Sequence, residues 1–225
     1  QEVRADALEF GLATELVMQL KSGKEASVYL ALWNGHPIVL KAYRFWHTSR
    51  AGKSRGFFAP ARMEALAAKE YDVLMATFRA GVPVPTPIGR VGNYLTMRFI
   101  GDDVTPAPRL KDVHLDDPDT VLKQILRDYL RMYQQAHYVH GDLSSFNLLW
   151  WHNRAWFIDL PQAVYVGPWC NIERVISLLR RDIDRILTYF EGYGLYHDSS
   201  AIVRRFIQAY VPRNLESLVA EYLMD

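Results

Sequence analysis

Three stretches near the start of the chain, 15–21, 26–33 and 36–43, are short and rich in Val, Leu, Ile and Tyr, and they read as β-strands. Asn34-Gly35 between the last two is a tight-hairpin signal. A helix is expected over 60–79, where Ala and Glu dominate, Pro60 suits the first turn and Gly81 suits the stop. Two further strands, 88–91 and 94–100, flank Gly92-Asn93. The first hundred residues therefore predict a five-stranded antiparallel sheet with one inserted helix. Pro106-Ala107-Pro108 forces extended backbone, so a connector is expected near position 102. Beyond it the pattern turns helical. Asp117-Pro118 opens a helix to about 137, in which Val121, Ile125, Tyr129 and Tyr133 recur every four residues beside Leu122, Leu126 and Leu130. Two short strands, 147–151 and 155–158, follow, then helices over 172–190 and 199–210 and a short one after 214. The predicted class is α+β: a β-rich lobe over 1–101 leads into a reduced α-helical lobe over 102–225.

Composition narrows the classes. Half of the 225 residues are apolar and 23% are charged, as in ordinary globular domains, which excludes a disordered chain. The single cysteine, Cys170, excludes a disulfide framework and a Cys-based zinc site and predicts a reducing, cytoplasmic setting. No apolar run approaches the roughly 18–20 residues a membrane-spanning helix needs, and a net charge of +1 gives no global pull toward nucleic acid or a membrane surface. One local exception is 43–62, with five basic residues, no acidic ones, and Phe45, Trp46, Phe57 and Phe58. That stretch reads either as a solvated loop or as a contact for a ribosomal or RNA-containing assembly. The first residue is Gln1 rather than Met, so a segment upstream of it is expected.

The sharpest chemical signal is His140-Gly141-Asp142-Leu143-Ser144-Ser145-Phe146-Asn147, followed by Asp159 at the end of an apolar strand. Asp142 and Asn147 keep the H-x-D-x-x-x-x-N spacing of kinase catalytic loops. Phosphoryl transfer needs a carboxylate near the acceptor hydroxyl, and hard oxygen ligands for the Mg²⁺ that bridges the phosphates. Asn147 and Asp159 supply such oxygens. An acid in Trp156-Phe157-Ile158-Asp159-Leu160 is also costly to bury without a partner or a metal. A second signal, Ser22-Gly23-Lys24-Glu25-Ala26-Ser27-Val28-Tyr29, resembles a phosphate-covering turn, although an ordinary hairpin turn fits it too. Lys41, alternating onto one face of the apolar strand 38–42, needs a carboxylate partner, and Glu64 and Glu70 of the inserted helix are the candidates.

These motifs, in this order over roughly 8–210, resemble the RIO-type atypical protein kinases, and the Pro-Ala-Pro connector points to the first RIO subfamily. The turn SGKEASVY resembles the family's S-T-G-K-E-A-x-V-Y loop. Lys69-Glu70-Tyr71, followed by Ala80-Gly81-Val82-Pro83, resembles the segment with its helix glutamate, which favours Glu70. Met97-Arg98-Phe99-Ile100-Gly101 resembles its hinge, and Ile158-Asp159-Leu160-Pro161-Gln162 its D-x-x-Q metal segment. The resemblance implies a bilobal protein-kinase-like fold and the use of ATP with Mg²⁺, Mn²⁺ being an alternative ion. Ser22, Gly23, Lys24 and Val28 would cover the nucleotide, and Lys41 paired with Glu70 would bind phosphate. Met97 would stand as gatekeeper, backbone groups of Arg98 and Ile100 would hold adenine, and Leu149 and Ile158 would form its floor. Asp142 would be the catalytic aspartate, with Asn147 and Asp159 as metal ligands. An aspartyl-phosphate on Asp159, with ATPase rather than kinase turnover, is also implied, and so is a protein substrate or self as acceptor.

Departures keep other readings open. Lys21, Gly141 and Ser145 stand where the family usually has Ser, Ala and Glu. His-Gly-Asp is also the form used by aminoglycoside and choline phosphotransferases, so a small-molecule acceptor is the alternative enzyme. An ATP-switched assembly factor is the alternative binding module. The short stretch after Asp159 holds no A-P-E, which predicts a second lobe without a conventional peptide-docking segment.

Overall fold

The computed structural model describes residues 2–23, 25–44 and 59–224. The chain divides into two compact units, Gln1–Met75 with Pro85–Pro106, and Ala76–Val84 with Ala107–Asp225.

The first unit opens with helix α1 (Glu2–Glu9) and continues through β1 (Glu15–Ser22), β2 (Ala26–Trp33) and β3 (His36–Tyr43). Helix α2 (Ala59–Arg79) follows, its last turn belonging to the second unit, then β4 (Pro87–Val91) and β5 (Tyr94–Arg98). The five strands form one antiparallel sheet in the order β1-β2-β3-β5-β4. Asn34 and Gly35 both take positive φ, at 50° and 82°, the geometry that lets a two-residue turn follow the strand twist. One face of the sheet packs Tyr29, Ala31, Ile38, Leu40, Ala42 and Tyr94 around Ala7 of α1. The pattern of 94–100 predicts a longer strand than is found: β5 ends at Arg98, and Gly101–Asp102 (β6) turns back on Thr105–Pro106 (β7) as a small hairpin. The stretch 45–58, most of the basic segment, lies outside the described residues.

The second unit is led by α3 (Pro118–Arg131), with Asp117 as N-cap accepting from the Thr120 amide at 3.1 Å. The helix predicted to run to 137 stops earlier. Met132–Ala136 widens into a π-helical turn, and His137, at φ 59°, ends it in the left-handed region. That reversal starts β8 (Tyr138–Val139), which pairs with β11 (Val164–Tyr165). Between them β9 (Leu148–Trp151) and β10 (Arg154–Phe157) form a hairpin closed by His152 and Asn153, both at positive φ. Helices α4 (Ile172–Glu191), α5 (Ser199–Ala209) and α6 (Glu216–Met224) complete the unit. Its core gathers Tyr129, Tyr133, Phe157, Phe190 and Phe206, all fully or almost fully buried. Among the described residues no helix is long and apolar enough to cross a membrane.

Candidate active site

The residues singled out in the sequence fall into two groups, one in each unit. In the first unit Lys41 and Val28 face each other across β2 and β3. Helix α2 buries a stripe of Met63, Ala67, Glu70, Leu74 and Thr77, so Glu70 enters the interior while Glu64 stays exposed. Lys41 Nζ lies 2.8 Å from Glu70 Oε1, with both side chains almost fully buried, and sits 5.3 Å above the Tyr43 ring. The Tyr43 hydroxyl donates to Glu70 Oε2. Of the two glutamates weighed for Lys41, the structure puts Glu70 on it. Two donors thus hold both oxygens of one buried carboxylate and fix the direction of the lysine.

The turn between β1 and β2 is shaped by backbone. Gly23 N–H donates to Ala26 O at 2.9 Å, and a Cβ on Gly23 would come within 3.0 Å of the same oxygen. Ser22 Oγ accepts from Arg44 at 3.1 Å, while Lys24 lies outside the described residues. Met97 is registered with Val39 in the sheet. Ile100 is buried, and Arg98 N–H donates to Thr86 O at 2.8 Å.

In the second unit the segment 140–147 is held from beneath by one carboxylate. Asp182 of α4 is fully buried and accepts from Gly141 N at 2.8 Å, Leu143 N at 3.1 Å and the Tyr129 hydroxyl at 2.7 Å. Burial pushes its carboxyl up from the usual range, and the His140 ring and these donors oppose that rise. The Tyr129 hydroxyl also accepts from His140 N–H, at 3.4 Å, and its ionisation is driven far up by burial and by Asp182.

His140 is itself fully buried, with Nε2 3.1 Å from Ile158 O and Nδ1 accepting from Asp142 N–H at 3.3 Å. Both contacts suit the neutral ring protonated on Nε2, and burial lowers its pKa. The segment is so close to its neighbour that Gly141, at φ 77°, would place a Cβ 2.4 Å from Gln162 O. This backbone path therefore suits glycine and leaves no room for a side chain.

Asp142 projects from that platform half exposed. Its Oδ1 lies 2.7 Å from Arg185 Nη1, and its Oδ2 accepts from Asn147 Nδ2 at 3.0 Å. Asn147 Nδ2 also donates to Asp142 O at 2.8 Å, which orients the amide with its oxygen as the remaining ligand group. Asn147 O accepts from Ile158 N–H at 3.1 Å, which ties the loop to the start of the Asp159 turn, and Asp159 is held at φ 65°. Leu149 and Ile158 are half-buried. No cluster of three His, Cys, Asp or Glu among the described residues is arranged to hold a metal. Mg²⁺ bound through one carboxylate, one amide oxygen and substrate phosphates needs no such cluster, and Asn147 and Asp159 offer that donor set.

Sequence reasoning passed over Asp182, Tyr129, Arg181 and Arg185. Arg181 donates to Gly141 O and Arg185 reaches Asp142 from one turn further along α4. The available signal was an acid at a buried helical position, since Val175, Leu179, Asp182, Ile186 and Phe190 form one stripe.

A five-stranded sheet with a buried Lys–Glu pair, leading into a helical unit that carries the H-x-D-x-x-x-x-N loop, defines a protein-kinase-like fold. Solved structures agree. The Rio2 kinase from Chaetomium thermophilum matches with a TM-score of 0.74 at 19% identity, over 97% of this chain and 73% of that one. A second structure of that kinase, a complex with ADP, Mg²⁺ and phosphoaspartate, matches at 0.69 and 18%, over 97% and 72%. Sequence comparison supplies the family. The RIO domain model matches residues 28–202. The RIO-type serine/threonine-protein kinase Rio1 of Thermoplasma acidophilum is 39% identical over 140 residues, covering 62% of this chain and 70% of that protein. The human serine/threonine-protein kinase RIO1 is 31% identical over 207 residues, covering 82% of this chain but 35% of the relative. The chain belongs to the RIO family of serine/threonine-protein kinases.

Proposed function

We propose that this chain transfers the γ-phosphoryl group of ATP to a Ser or Thr hydroxyl of a protein or of itself, with residues 1–101 as nucleotide-binding lobe and 102–225 as catalytic lobe. The observation that carries the reading is the Asp142 carboxylate, half exposed on a loop whose backbone is fixed by buried Asp182. Asp142 would orient the acceptor hydroxyl and take its proton. Lys41, aimed by Glu70, would bind the α- and β-phosphates beneath the turn Ser22-Gly23-Lys24 and Val28. Beside Met97, the Arg98 amide is committed to Thr86 O, so adenine would meet the Arg98 carbonyl and the Ile100 amide; Leu149 and Ile158 keep the role of adenine floor that the family resemblance implies. Asn147 and Asp159 would hold Mg²⁺, which would offset the charge of the phosphates; Mn²⁺ shares the same oxygen preference.

Asp142→Ala should lower turnover by at least about 10³-fold while ATP binding is largely kept, because catalysis here is positioning and electrostatics around an intact nucleotide site. Turnover of labelled ATP beside ATP-analogue titration checks this, and full activity in the variant would overturn the assignment.

A second reading has its own support. The Rio2 complex carries a phosphoaspartate, and Asp159 occupies the turn from which this chain would form one. A mass increase of one phosphoryl group after ATP treatment, removed by hydroxylamine or alkali and absent in Asp159→Asn, is expected if that step occurs. The basic stretch 43–62 is the proposed contact for an RNA-containing assembly, and the lone Cys170 suits a cytoplasmic setting.

A further inference from the structure

Helix α4 lays three side chains, each one turn from the next, along the catalytic loop and the 3₁₀ turn Leu110–Asp112. Arg181 ends on Gly141 O and Tyr189 on Leu110 O, both backbone carbonyls. Arg185, between them, ends on the Asp142 carboxylate. Asn147 already holds Asp142 Oδ2, so the guanidinium stands on the oxygen that an incoming hydroxyl needs. Arg185 is 43% exposed and Asp142 47%, and a pair so open to solvent is weak enough to exchange partners. A guanidinium drawn off one carboxylate is best satisfied by another, whose two oxygens match its fork.

The rest of this face has the same character. Lys111 donates its amide to Ser145 O and places Nζ 5.1 Å over the ring of Phe146, which is 54% exposed within the catalytic loop. The nearby acids are engaged: Asp112 pairs with Lys111, Asp184 accepts from Ser199, and Asp182 is buried beneath the loop.

We propose that Arg185 sets acceptor specificity: it recognises a carboxylate side chain flanking the Ser or Thr hydroxyl, so the preferred acceptor is an acidic protein segment. Binding of that carboxylate moves the guanidinium from Asp142 to the substrate and frees Asp142 Oδ1 for the hydroxyl in the same event. Arg185 thereby couples recognition of the acceptor to exposure of the catalytic carboxylate. The inference rests on the phosphotransfer reading.

The test uses the full chain, γ-labelled ATP with Mg²⁺, and Ser-acceptor peptides that carry Glu, Ala or Lys on either side of the acceptor. Wild-type protein should favour the Glu peptides over the Ala peptides in kcat/KM by about fivefold, the scale of a half-exposed ion pair. Arg185→Ala should bring that ratio to about one, Arg185→Lys should keep part of it, and Arg185→Glu should turn the preference toward the Lys peptides. A purely structural role would lower all peptides together, and that outcome overturns the proposal. So does an equal rate on Glu and Ala peptides by the wild-type protein, a measurement that needs no folded variant. Absence of label from every peptide and from the protein itself overturns the phosphotransfer reading and this inference with it, whereas transfer without preference overturns only the latter.

Discussion

Two buried carboxylates organise the two units, and they do so by different means. Glu70 meets side chains, the Lys41 ammonium and the Tyr43 hydroxyl, and its work is to balance and aim a charge. Asp182 meets mainly backbone, the amides of Gly141 and Leu143, together with the Tyr129 hydroxyl, and its work is to hold a loop in shape. The residue that Glu70 fixes is itself the proposed phosphate contact. Asp182 fixes the residues on either side of Asp142 and leaves that carboxylate to Arg185 and Asn147. One pair depends on charge, the other on acceptor geometry. Amide isosteres separate the two, because they remove charge while keeping shape.

The larger loss is expected from Asp182→Asn. The asparagine amide nitrogen must face at least one donor that now finds an acceptor, which leaves a buried N–H unsatisfied and the loop displaced. Stability should fall by about 3–5 kcal/mol in urea unfolding, and turnover should fall with ATP affinity little changed, since the damage lies under Asp142. A variant as stable as wild type would show that the loop holds its shape without Asp182.

The contrast also explains what could be read from sequence. The five strands were legible because runs of β-branched and aromatic residues between Asn-Gly and Gly-Asn turns leave few other structures. Lys41 was legible because a charge inside such a run needs a partner. The choice of Glu70 came from the family resemblance, although the spacing of Met63, Ala67, Glu70, Leu74 and Thr77 carries it physically. Asp142 and Asn147 were legible from local spacing. Asp182 was not, because Arg180-Arg181-Asp182-Ile183-Asp184-Arg185 looks like a solvated helix face until the helical period is traced through it. Arg185 meets Asp142 across 43 positions of chain, a distance at which no local pattern operates. Helix α1 went unread for a simpler reason: with little apolar periodicity in 2–9, only Ala7 of its residues is buried.

Glu70→Gln should have the intermediate effect. The glutamine oxygen can still accept from Lys41 and its amide can donate to the Tyr43 hydroxyl, so hydrogen bonds survive while the counter-charge disappears. A buried ammonium without its carboxylate should destabilise the first unit by about 3 kcal/mol, the low end for a buried charge left without its counter-charge because the hydrogen bonds survive. KM for ATP should rise more than kcat falls, because Lys41 loses its direction while the catalytic loop is untouched. Equal losses in both constants would move Glu70 from the nucleotide side of the comparison to the chemical step.

The smallest effect belongs to the second unit and is read by pH. His140 is held neutral between Ile158 O and the Asp142 amide. Burial lowers its pKa in the folded protein, while the unfolded chain takes up a proton near the ordinary value of about 6.5. The unfolded state therefore binds more protons as pH falls below that value, so the stabilisation from neutral His140 is complete above it and is lost on acidification. The slope is at most about 1.4 kcal/mol per pH unit. Asp182 has the opposite sign, since its raised pKa makes stability fall as pH rises from about 3.8. Subtracting the urea-unfolding profile of His140→Gln from that of the wild-type protein isolates the histidine. The difference should shrink as pH drops from 6.5 to 5.5, and parallel profiles would mean that the ring is as easily protonated in the folded loop as in the open chain.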